Sequence, residues 1–291
     1  MTSASRRMAV LVVGTVSALL IAGPAQAAVP GLNISAYADA PVALEKGAKQ
    51  VRFFVPWRNF EPANKDEFTA AGPKTPTPLT ADLETRTDEV RAAGATPIMV
   101  ILDAPAWAAT GGGDHPRPRS PDEYAEFTGE LATWLRKRKP NVPTPVYEVW
   151  NEPDASKFWG DEPPNADFYT TMLKKSYAAI KAGDPGATVL TGPTTGNNYA
   201  WIEGLYARGA KGSFDGVAVH TDTACSIVGP DVFYRDPNGR IGQFAFLGYR
   251  EVRGAMLANG GDKPTWMTEI GWGTTTAVCA SGDSAGKRPR G

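Results

Sequence analysis

Short apolar runs alternate with amphipathic helical stretches along most of this sequence, and this alternation limits the folds that the chain can adopt. Strand-like runs occur at Leu32–Ala36, Val51–Pro56, Thr96–Leu102, Pro145–Trp150, Thr188–Thr191, Gly216–His220 and Pro264–Ile270. Helices are predicted between them, at Val42–Lys49, Thr80–Ala93, after the N-caps Ser120 and Asn165, at Tyr199–Ala207 and at Ile241–Leu257. Strands alternating with helices of this length favour right-handed βαβ units and a parallel sheet. Because there are seven such strands, and no glycine-rich phosphate loop follows the first, the pattern favours an α/β fold of the (β/α)₈ TIM-barrel class over an open dinucleotide-binding sheet.

The first 27 residues have the features of a secretory signal peptide rather than of a folded element. Arg6 and Arg7 precede an apolar run, Met8–Ala22, that is too short to span a bilayer, and the Ala-Gln-Ala sequence that follows is typical of a cleavage site. We therefore expect a signal at 1–27 and one mature domain at 28–291. A membrane anchor is the alternative interpretation of this segment. The expected location is extracellular, with no membrane attachment after cleavage.

Charge and cysteine content exclude several classes of partner and chemistry. The formal net charge is −1, and it becomes −3 when the two arginines of the signal are removed, so nothing indicates binding to nucleic acid or to anionic lipid. The two cysteines, Cys225 and Cys279, form an even pair, which in a secreted protein is most simply a disulfide. A cysteine nucleophile is disfavoured because the sequence suggests no pairing of cysteine with histidine.

Chemically active side chains are concentrated where the predicted strands end. In a parallel barrel these ends lie together at one face, where active sites form. Glu152 follows the fourth strand and Glu269 ends the seventh, 117 residues later, so both are expected at the same mouth. Two carboxylates facing each other across a cleft are the residues that glycoside hydrolysis requires, one as a proton donor and one as a nucleophile or base. The alternative is that both glutamates are ion-pair partners on a barrel rim.

The motif VWNEP, after the fourth strand, and the glutamate of WMTEIGW, on the seventh, resemble the retaining glycoside hydrolases of clan A, which are cellulase-like and xylosidase-like (β/α)₈ enzymes. The resemblance runs from about Gly31 to Trp272. It implies that Glu152 is the acid/base, that Glu269 is the nucleophile, and that Asn151 binds the 2-hydroxyl group of the sugar.

The resemblance also gives roles to two residues on other strands. Arg52 matches the strand-two arginine that keeps the nucleophile ionised, although it could equally neutralise any inward carboxylate. His220 matches the strand-six histidine of the clan, and the alternative is a hydrogen-bonded histidine of the rim. Asp222 stands where the clan usually has an aromatic residue. Glu148, two residues before Trp150 and on the same face of its strand, is expected to be a paired structural group, because buried charges need partners.

Aromatic residues in the loops are candidates for stacking against sugar rings. Trp57, Trp107, Trp159 and Trp272 follow strand ends, whereas the tryptophans within predicted helices are expected in the core. Large apolar loop residues often only pack, so the sequence does not decide which of the four contact substrate.

The sequence ends 22 residues after Glu269, and this tail contains no apolar run for an eighth strand and no amphipathic helix. We therefore expect a barrel that lacks the eighth βα unit. A truncated copy of a complete enzyme and a seven-unit remnant are the two explanations.

The sequence as a whole predicts a secreted retaining glycosidase acting on a β-linked carbohydrate without a metal or an organic cofactor. A non-catalytic remnant that only binds carbohydrate is the first alternative. A metal-dependent hydrolase is the second, and it is disfavoured because the two histidines, His115 and His220, form no ligand motif. The sugar, the choice between endo and exo action and the oligomeric state are left open.

Overall fold

The computed structural model describes residues 28–138, 144–221 and 229–271. Within these ranges seven parallel strands form the framework: β1 (Gly31–Asn33), β2 (Gln50–Pro56), β3 (Thr96–Leu102), β4 (Val146–Val149), β5 (Thr188–Thr191), β6 (Val217–His220) and β7 (Thr265–Glu269). Six α-helices accompany them: α1 (Ala40–Glu45), α2 (Pro78–Ala92), α3 (Pro121–Arg138), α4 (Ala166–Gly183), α5 (Tyr199–Ala207) and α6 (Tyr249–Ala258). Two short antiparallel pairs lie in the loops after β2 and β3.

The strands follow one another in chain order around a curved sheet. Strands β1 to β5 form one hydrogen-bonded sheet, β6 pairs with β7, and two isolated parallel bridges, Leu190 to Gly216 and Thr194 to Val219, connect β5 with β6. The side chain of Asn33 on β1 donates to the backbone oxygen of Thr268 on β7 at 2.9 Å, so the first and seventh strands lie close together. The predicted α/β barrel architecture is confirmed. The predicted lack of an eighth unit concerns residues after Gly271, which lie outside the described residues.

The observed elements match the predicted ones closely except at three places. Helix α1 covers Ala40–Glu45 rather than Val42–Lys49. Strand β1 covers Gly31–Asn33 rather than Leu32–Ala36. The helix predicted over Ile241–Leu257 was wrong at its beginning, because α6 starts only at Tyr249. Ile241 instead forms an antiparallel bridge with Arg235, and this pairing takes up backbone groups that a helix would need.

Helix α3 illustrates how the sequence specifies the outer layer. The hydroxyl of Ser120 accepts hydrogen bonds from the backbone N–H groups of Asp122 and Glu123, which confirms the predicted N-cap. The inward face of the helix is buried and consists of Tyr124, Phe127, Leu131, Trp134 and Leu135. In the described parts of the chain, no helix combines the length and the apolar character that crossing a membrane requires.

Candidate active site

Glu152 and Glu269 lie at the same mouth of the barrel, joined by one histidine. His220 is the last residue of β6, and its Nδ1 atom lies 2.7 Å from Oε1 of Glu152. Its Nε2 atom lies 3.5 Å from Oε1 of Glu269, the last residue of β7. His220 is 2% exposed, so the imidazole is fixed between the two carboxylates. The structure therefore brings together the three residues that the sequence places at the ends of strands four, six and seven.

The backbone around Glu152 is held in an uncommon conformation. Trp150 has φ 76° and Glu152 has φ 42°, values in the left-handed region that non-glycine residues seldom adopt. The indole N–H of Trp150 donates to the oxygen of Phe158 at 2.6 Å, which anchors the turn. Gly192 makes room beside it, because a Cβ atom there would lie 2.7 Å from the oxygen of Val149. Strand β4 ends at this turn, and such backbone strain is common where a structure presents functional groups.

Arg52 connects Glu269 at the mouth to Glu148 in the core. Its guanidinium donates to Glu148 Oε2 at 3.0 and 2.8 Å, and to Glu269 Oε1 at 2.7 Å. Burial alone would lower the pKa of Arg52, but the carboxylates of Glu148 and Glu269 outweigh it and raise this pKa. Glu148 is fully buried against the guanidinium, so the prediction of a paired structural group is confirmed.

Asn151 is held by the same guanidinium. Its Oδ1 atom accepts from Nη2 of Arg52 at 3.0 Å, and the residue is 2% exposed. This hydrogen bond fixes the plane of the amide and leaves its Nδ2 group as the donor for other partners. The amide next to Glu152 in the sequence therefore has a fixed orientation, and its role in binding a 2-hydroxyl group stays a prediction.

The tryptophans expected to line the cleft are mostly in the core. Trp57 is fully buried, stacks on Phe127 with ring centroids 5.6 Å apart, and donates its N–H to Glu61. Trp159 is also fully buried. A ring without exposed area cannot stack on a sugar, so the assignment of these two residues to the cleft wall was wrong. Trp107 is half-buried, meets Trp57 edge to face at 5.5 Å, and keeps part of its surface accessible.

Several predicted features fall on parts of the chain that are not described. Trp272, proposed to stack on substrate, lies outside the described residues, as does Asp222. The same holds for Cys225 and Cys279, so the disulfide between them stays a prediction.

The structure adds Asp154 to the site, a residue that the sequence did not single out. Its Oδ1 atom accepts from the backbone N–H of Thr195 at 2.8 Å, and Oδ2 accepts from the Asn198 amide at 2.7 Å. Desolvation by burial raises the pKa of Asp154 to about 6, the two hydrogen bonds oppose this, and the charge of Glu152 adds to it. In the sequence, Asp154 could have been recognised as a candidate by its position two residues after Glu152. Only the fold shows that it links the turn after β4 to the loop after β5.

The structure also joins two residues near the end of β3 that the sequence gave no reason to pair. Asp103 has φ 58° and its Oδ1 lies 2.8 Å from Nδ1 of His115. Arg58 pairs with the other oxygen of Asp103 at 3.2 Å, and the His115 ring stacks on Phe158 at 4.4 Å. The histidine belongs to the loop 12 residues beyond Asp103, so no local pattern in the sequence joins them.

The fold is that of the (β/α)₈ glycoside hydrolases. A family 39 glycoside hydrolase from Bacteroides cellulosilyticus WH2 superposes with a TM-score of 0.62 at 20% identity, covering 86% of this chain and 50% of its own. A monomeric β-xylosidase from Caulobacter crescentus CB15 gives 0.58 at 22% identity, covering 85% and 52%. Endoglucanase Cel5A from Thermotoga maritima gives 0.53 at 14% identity, covering 83% and 78%.

The likeness predicted from the motifs VWNEP and WMTEIGW is therefore confirmed at the level of the fold. This chain spans about half the length of the first two of these proteins. No protein-family model matches it, and no curated protein is significantly similar to it. Identities of this size establish architecture, and the chemistry has to be argued from the site itself.

Proposed function

We propose that this chain is a glycoside hydrolase that cleaves a β-linked glycoside by a retaining, double-displacement mechanism. The observation that carries the proposal is the placement of Glu152 and Glu269 on either side of His220, with Glu269 also paired to Arg52. Two carboxylates at the C-terminal mouth of a barrel, each held by a different set of partners, are suited to different roles in the same reaction.

In the first step, Glu269 is the nucleophile. One of its carboxylate oxygens forms a bond to the anomeric carbon while the bond from that carbon to the leaving oxygen breaks. Glu152 gives its proton to the leaving oxygen, so that the departing alcohol is neutral. Arg52 neutralises part of the charge of Glu269 before attack and holds the carboxylate in place. Asn151 binds the neighbouring hydroxyl of the sugar in this mechanism.

In the second step, Glu152 is a carboxylate and takes a proton from water. The water oxygen attacks the anomeric carbon, the ester bond to Glu269 breaks, and Glu269 returns as a carboxylate. Two inversions at one carbon give net retention. His220 contacts both glutamates, so it can keep their spacing fixed as the charge moves from one to the other.

The test is hydrolysis of a panel of aryl β-glycosides, with β-xylosides included because one structural neighbour is a β-xylosidase. Glu152→Gln and Glu269→Gln should each lower kcat by about 10³-fold or more, since each removes a group used in bond breaking. Glu162→Gln is the matched control, because Glu162 lies in the loop after β4 and its carboxylate pairs with Arg117. Proton NMR of the first-formed product should show the β-anomer.

Two results would contradict the proposal. Turnover that persists in either glutamine variant would show that Glu152 and Glu269 are not the catalytic pair. An α-anomeric first product would show that the mechanism is inverting rather than retaining. Binding of sugar without turnover in the folded wild-type chain would favour the non-catalytic, carbohydrate-binding alternative.

We also propose that the chain is exported, on the basis of residues 1–27. Expression in a secreting host should release a protein whose amino terminus is Ala28, measured by intact mass. A product retained in the membrane with residues 1–27 attached would support the anchor instead.

A further inference from the structure

Asp154 and His220 belong to one closed cycle of contacts around Glu152. Oε1 of Glu152 lies 2.7 Å from Nδ1 of His220, and the backbone N–H of His220 donates to the oxygen of Thr194 at 3.2 Å. The next residue, Thr195, donates its backbone N–H to Oδ1 of Asp154 at 2.8 Å. Asp154 lies two residues after Glu152, so the cycle closes through the chain itself.

The segment that joins Glu152 to Asp154 has little conformational freedom. Its middle residue, Pro153, is buried, and its ring fixes φ. Pro153 packs against the backbone of Gly192, where a Cβ atom would lie 3.1 Å from the proline Cδ. The backbone N–H of Ala155 donates to the oxygen of Glu152 at 2.9 Å and closes the turn. The backbone of Glu152 therefore cannot shift without moving the carboxylate of Asp154.

Asp154 is in turn anchored to the end of a helix. Asn198 donates its amide N–H to Oδ2 of Asp154 at 2.7 Å, and the oxygen of the same amide caps α5 by accepting from the backbone N–H of Trp201 at 3.1 Å. The φ of Glu152 is 42°, a conformation that persists only where surrounding contacts enforce it. The two hydrogen bonds to Asp154 are contacts of this kind.

Glu152 has to be placed accurately, because a proton donor acts only within hydrogen-bond reach of the oxygen that it protonates. An error of about 1 Å in such a position can lower a rate about 10²-fold. The proposed nucleophile, Glu269, is held separately, by the bond from Arg52 at 2.7 Å. A change at Asp154 should therefore affect protonation of the leaving oxygen far more than attack on the anomeric carbon.

We propose that Asp154 is a positioning residue for Glu152, and that its bonds to Thr195 and Asn198 hold the Glu152 carboxyl against His220. The role rests on the proposed glycosidase function, and it adds to the proton donor a support built from the loops after β4 and β5. Burial raises the pKa of Asp154 to about 6, and the charge of Glu152 adds to the rise. Near neutral pH, Asp154 is therefore mainly the carboxylate that accepts both bonds.

The experiment compares two substrates that differ in how far their cleavage depends on a proton. These are the 2,4-dinitrophenyl and phenyl β-glycosides of the sugar that the wild-type chain hydrolyses best, beginning with the xylosides. Dinitrophenolate departs without protonation, whereas phenolate requires it. In Asp154→Ala, kcat/KM should fall about 10- to 100-fold on the phenyl glycoside and less than about 3-fold on the dinitrophenyl glycoside. The ratio of kcat/KM on the two substrates reports proton donation, because a general loss of folded protein lowers both equally.

A paired exchange separates positioning from charge. In Asp154→Asn, the new amide group faces the amide of Asn198, so one hydrogen bond is lost. In the double variant Asp154→Asn/Asn198→Asp, donor and acceptor are exchanged, the Thr195 N–H keeps an oxygen to bind, and aspartate remains a good N-cap for α5. Activity on the phenyl glycoside should be lower in the single variant and return to within about 3-fold of wild type in the double variant.

Asp215→Asn is the matched control. The carboxylate of Asp215 also binds one backbone N–H and one side chain, those of Val189 at 2.9 Å and Tyr177 at 3.1 Å, but it lies just before β6, at the opposite end of the strands. This variant should lose stability in urea without changing the ratio of kcat/KM on the two substrates.

Three results would overturn the role of Asp154. These are equal losses on both substrates in Asp154→Ala, an unchanged kcat/KM on the phenyl glycoside, and a double variant no more active than Asp154→Asn. If Asp154→Ala does not fold, Asp154→Asn and the double variant provide the same comparison. Failure of the proposed function is recognised separately, by a wild-type chain that hydrolyses no substrate or by Glu152→Gln with equal losses on both glycosides, and the role of Asp154 then falls with it.

Discussion

Nη1 of Arg52 lies 2.7 Å from Oε1 of Glu269, although the two residues are 217 positions apart in the sequence. The same guanidinium contacts Glu148 on β4 through Nε and Nη2. One side chain of β2 therefore binds two carboxylates, that of Glu148 on β4 in the core and that of Glu269 on β7 at the mouth. This arrangement makes Arg52 the residue on which the geometry of the site depends most directly.

Arg52→Lys should lower turnover while the chain still folds. Lysine keeps the charge but has a single ammonium group, so it cannot reproduce the planar set of hydrogen bonds to Glu148, Asn151 and Glu269. If Glu269 is the nucleophile as proposed, kcat/KM on an aryl β-glycoside should fall by about 10²-fold, through loss of positioning of its carboxylate. Steady-state kinetics and thermal unfolding of the same preparation measure both quantities. Unchanged kcat/KM in a folded Arg52→Lys chain would show that the contact to Glu269 has no part in catalysis.

Glu148→Gln should weaken the fold. The side chain is fully buried and accepts two hydrogen bonds from Arg52, so removing its charge leaves the guanidinium poorly compensated. The free energy of unfolding in urea should decrease by about 1.5–3 kcal/mol, the range for hydrogen bonds to charged groups. Glu84→Gln is the control, because Glu84 pairs with Arg138 near the surface and should change stability by less than about 1 kcal/mol. Similar losses in both variants would argue against a special role for the buried pair.

Asp154→Asn should flatten the dependence of stability on pH between about 4 and 6. The pKa of Asp154 is raised to about 6 because burial disfavours its charged form. Between its ordinary pKa and this value, the unfolded chain has lost a proton that the folded chain still holds, so the free energy of unfolding falls as pH rises. Across this pH range Asp154 alone should lower the free energy of unfolding by about 2 kcal/mol. This is less than the full pKa shift would give, because the side chain is partly exposed.

Urea unfolding at several pH values measures this slope in the wild type and in Asp154→Asn. The variant replaces one hydrogen-bond acceptor, so its absolute stability will also change, and only the slope is diagnostic. Asp262→Asn, at an exposed carboxylate, should keep the wild-type slope. An identical slope in Asp154→Asn would show that Asp154 titrates normally in the folded chain.

Trp57→Ala should destabilise the chain without acting through substrate. The ring is fully buried and in contact with Trp107, Tyr124 and Phe127, so truncation leaves a cavity costing about 3–5 kcal/mol. Trp57→Phe should cost less, about 1–3 kcal/mol, because the packing is largely kept while Glu61 loses its indole donor. Chemical unfolding measures both. A Trp57→Ala chain that is equally stable and has lost only affinity for sugar would show that Trp57 lines the cleft after all.

The sequence by itself determined the strands, the N-caps and the residues that end β4, β6 and β7. These features are local: apolar periodicity, a serine three residues before a glutamate, and a polar residue directly after a buried run act over a few neighbouring positions. Parallel strands bring their ends to one face, so Glu152, His220 and Glu269 could be grouped without coordinates.

Only the tertiary structure decided which side chains near those ends face the cleft. Trp57 and Trp107 both follow strands, yet Trp57 turns under α3 and is buried, while Trp107 remains half-exposed. The link from Asp154 to Asn198 and the approach of Tyr234 to Gly242 depend on how loops of different strands pack. Burial and pairing of this kind come from contacts between residues far apart in the chain, and no local pattern encodes them.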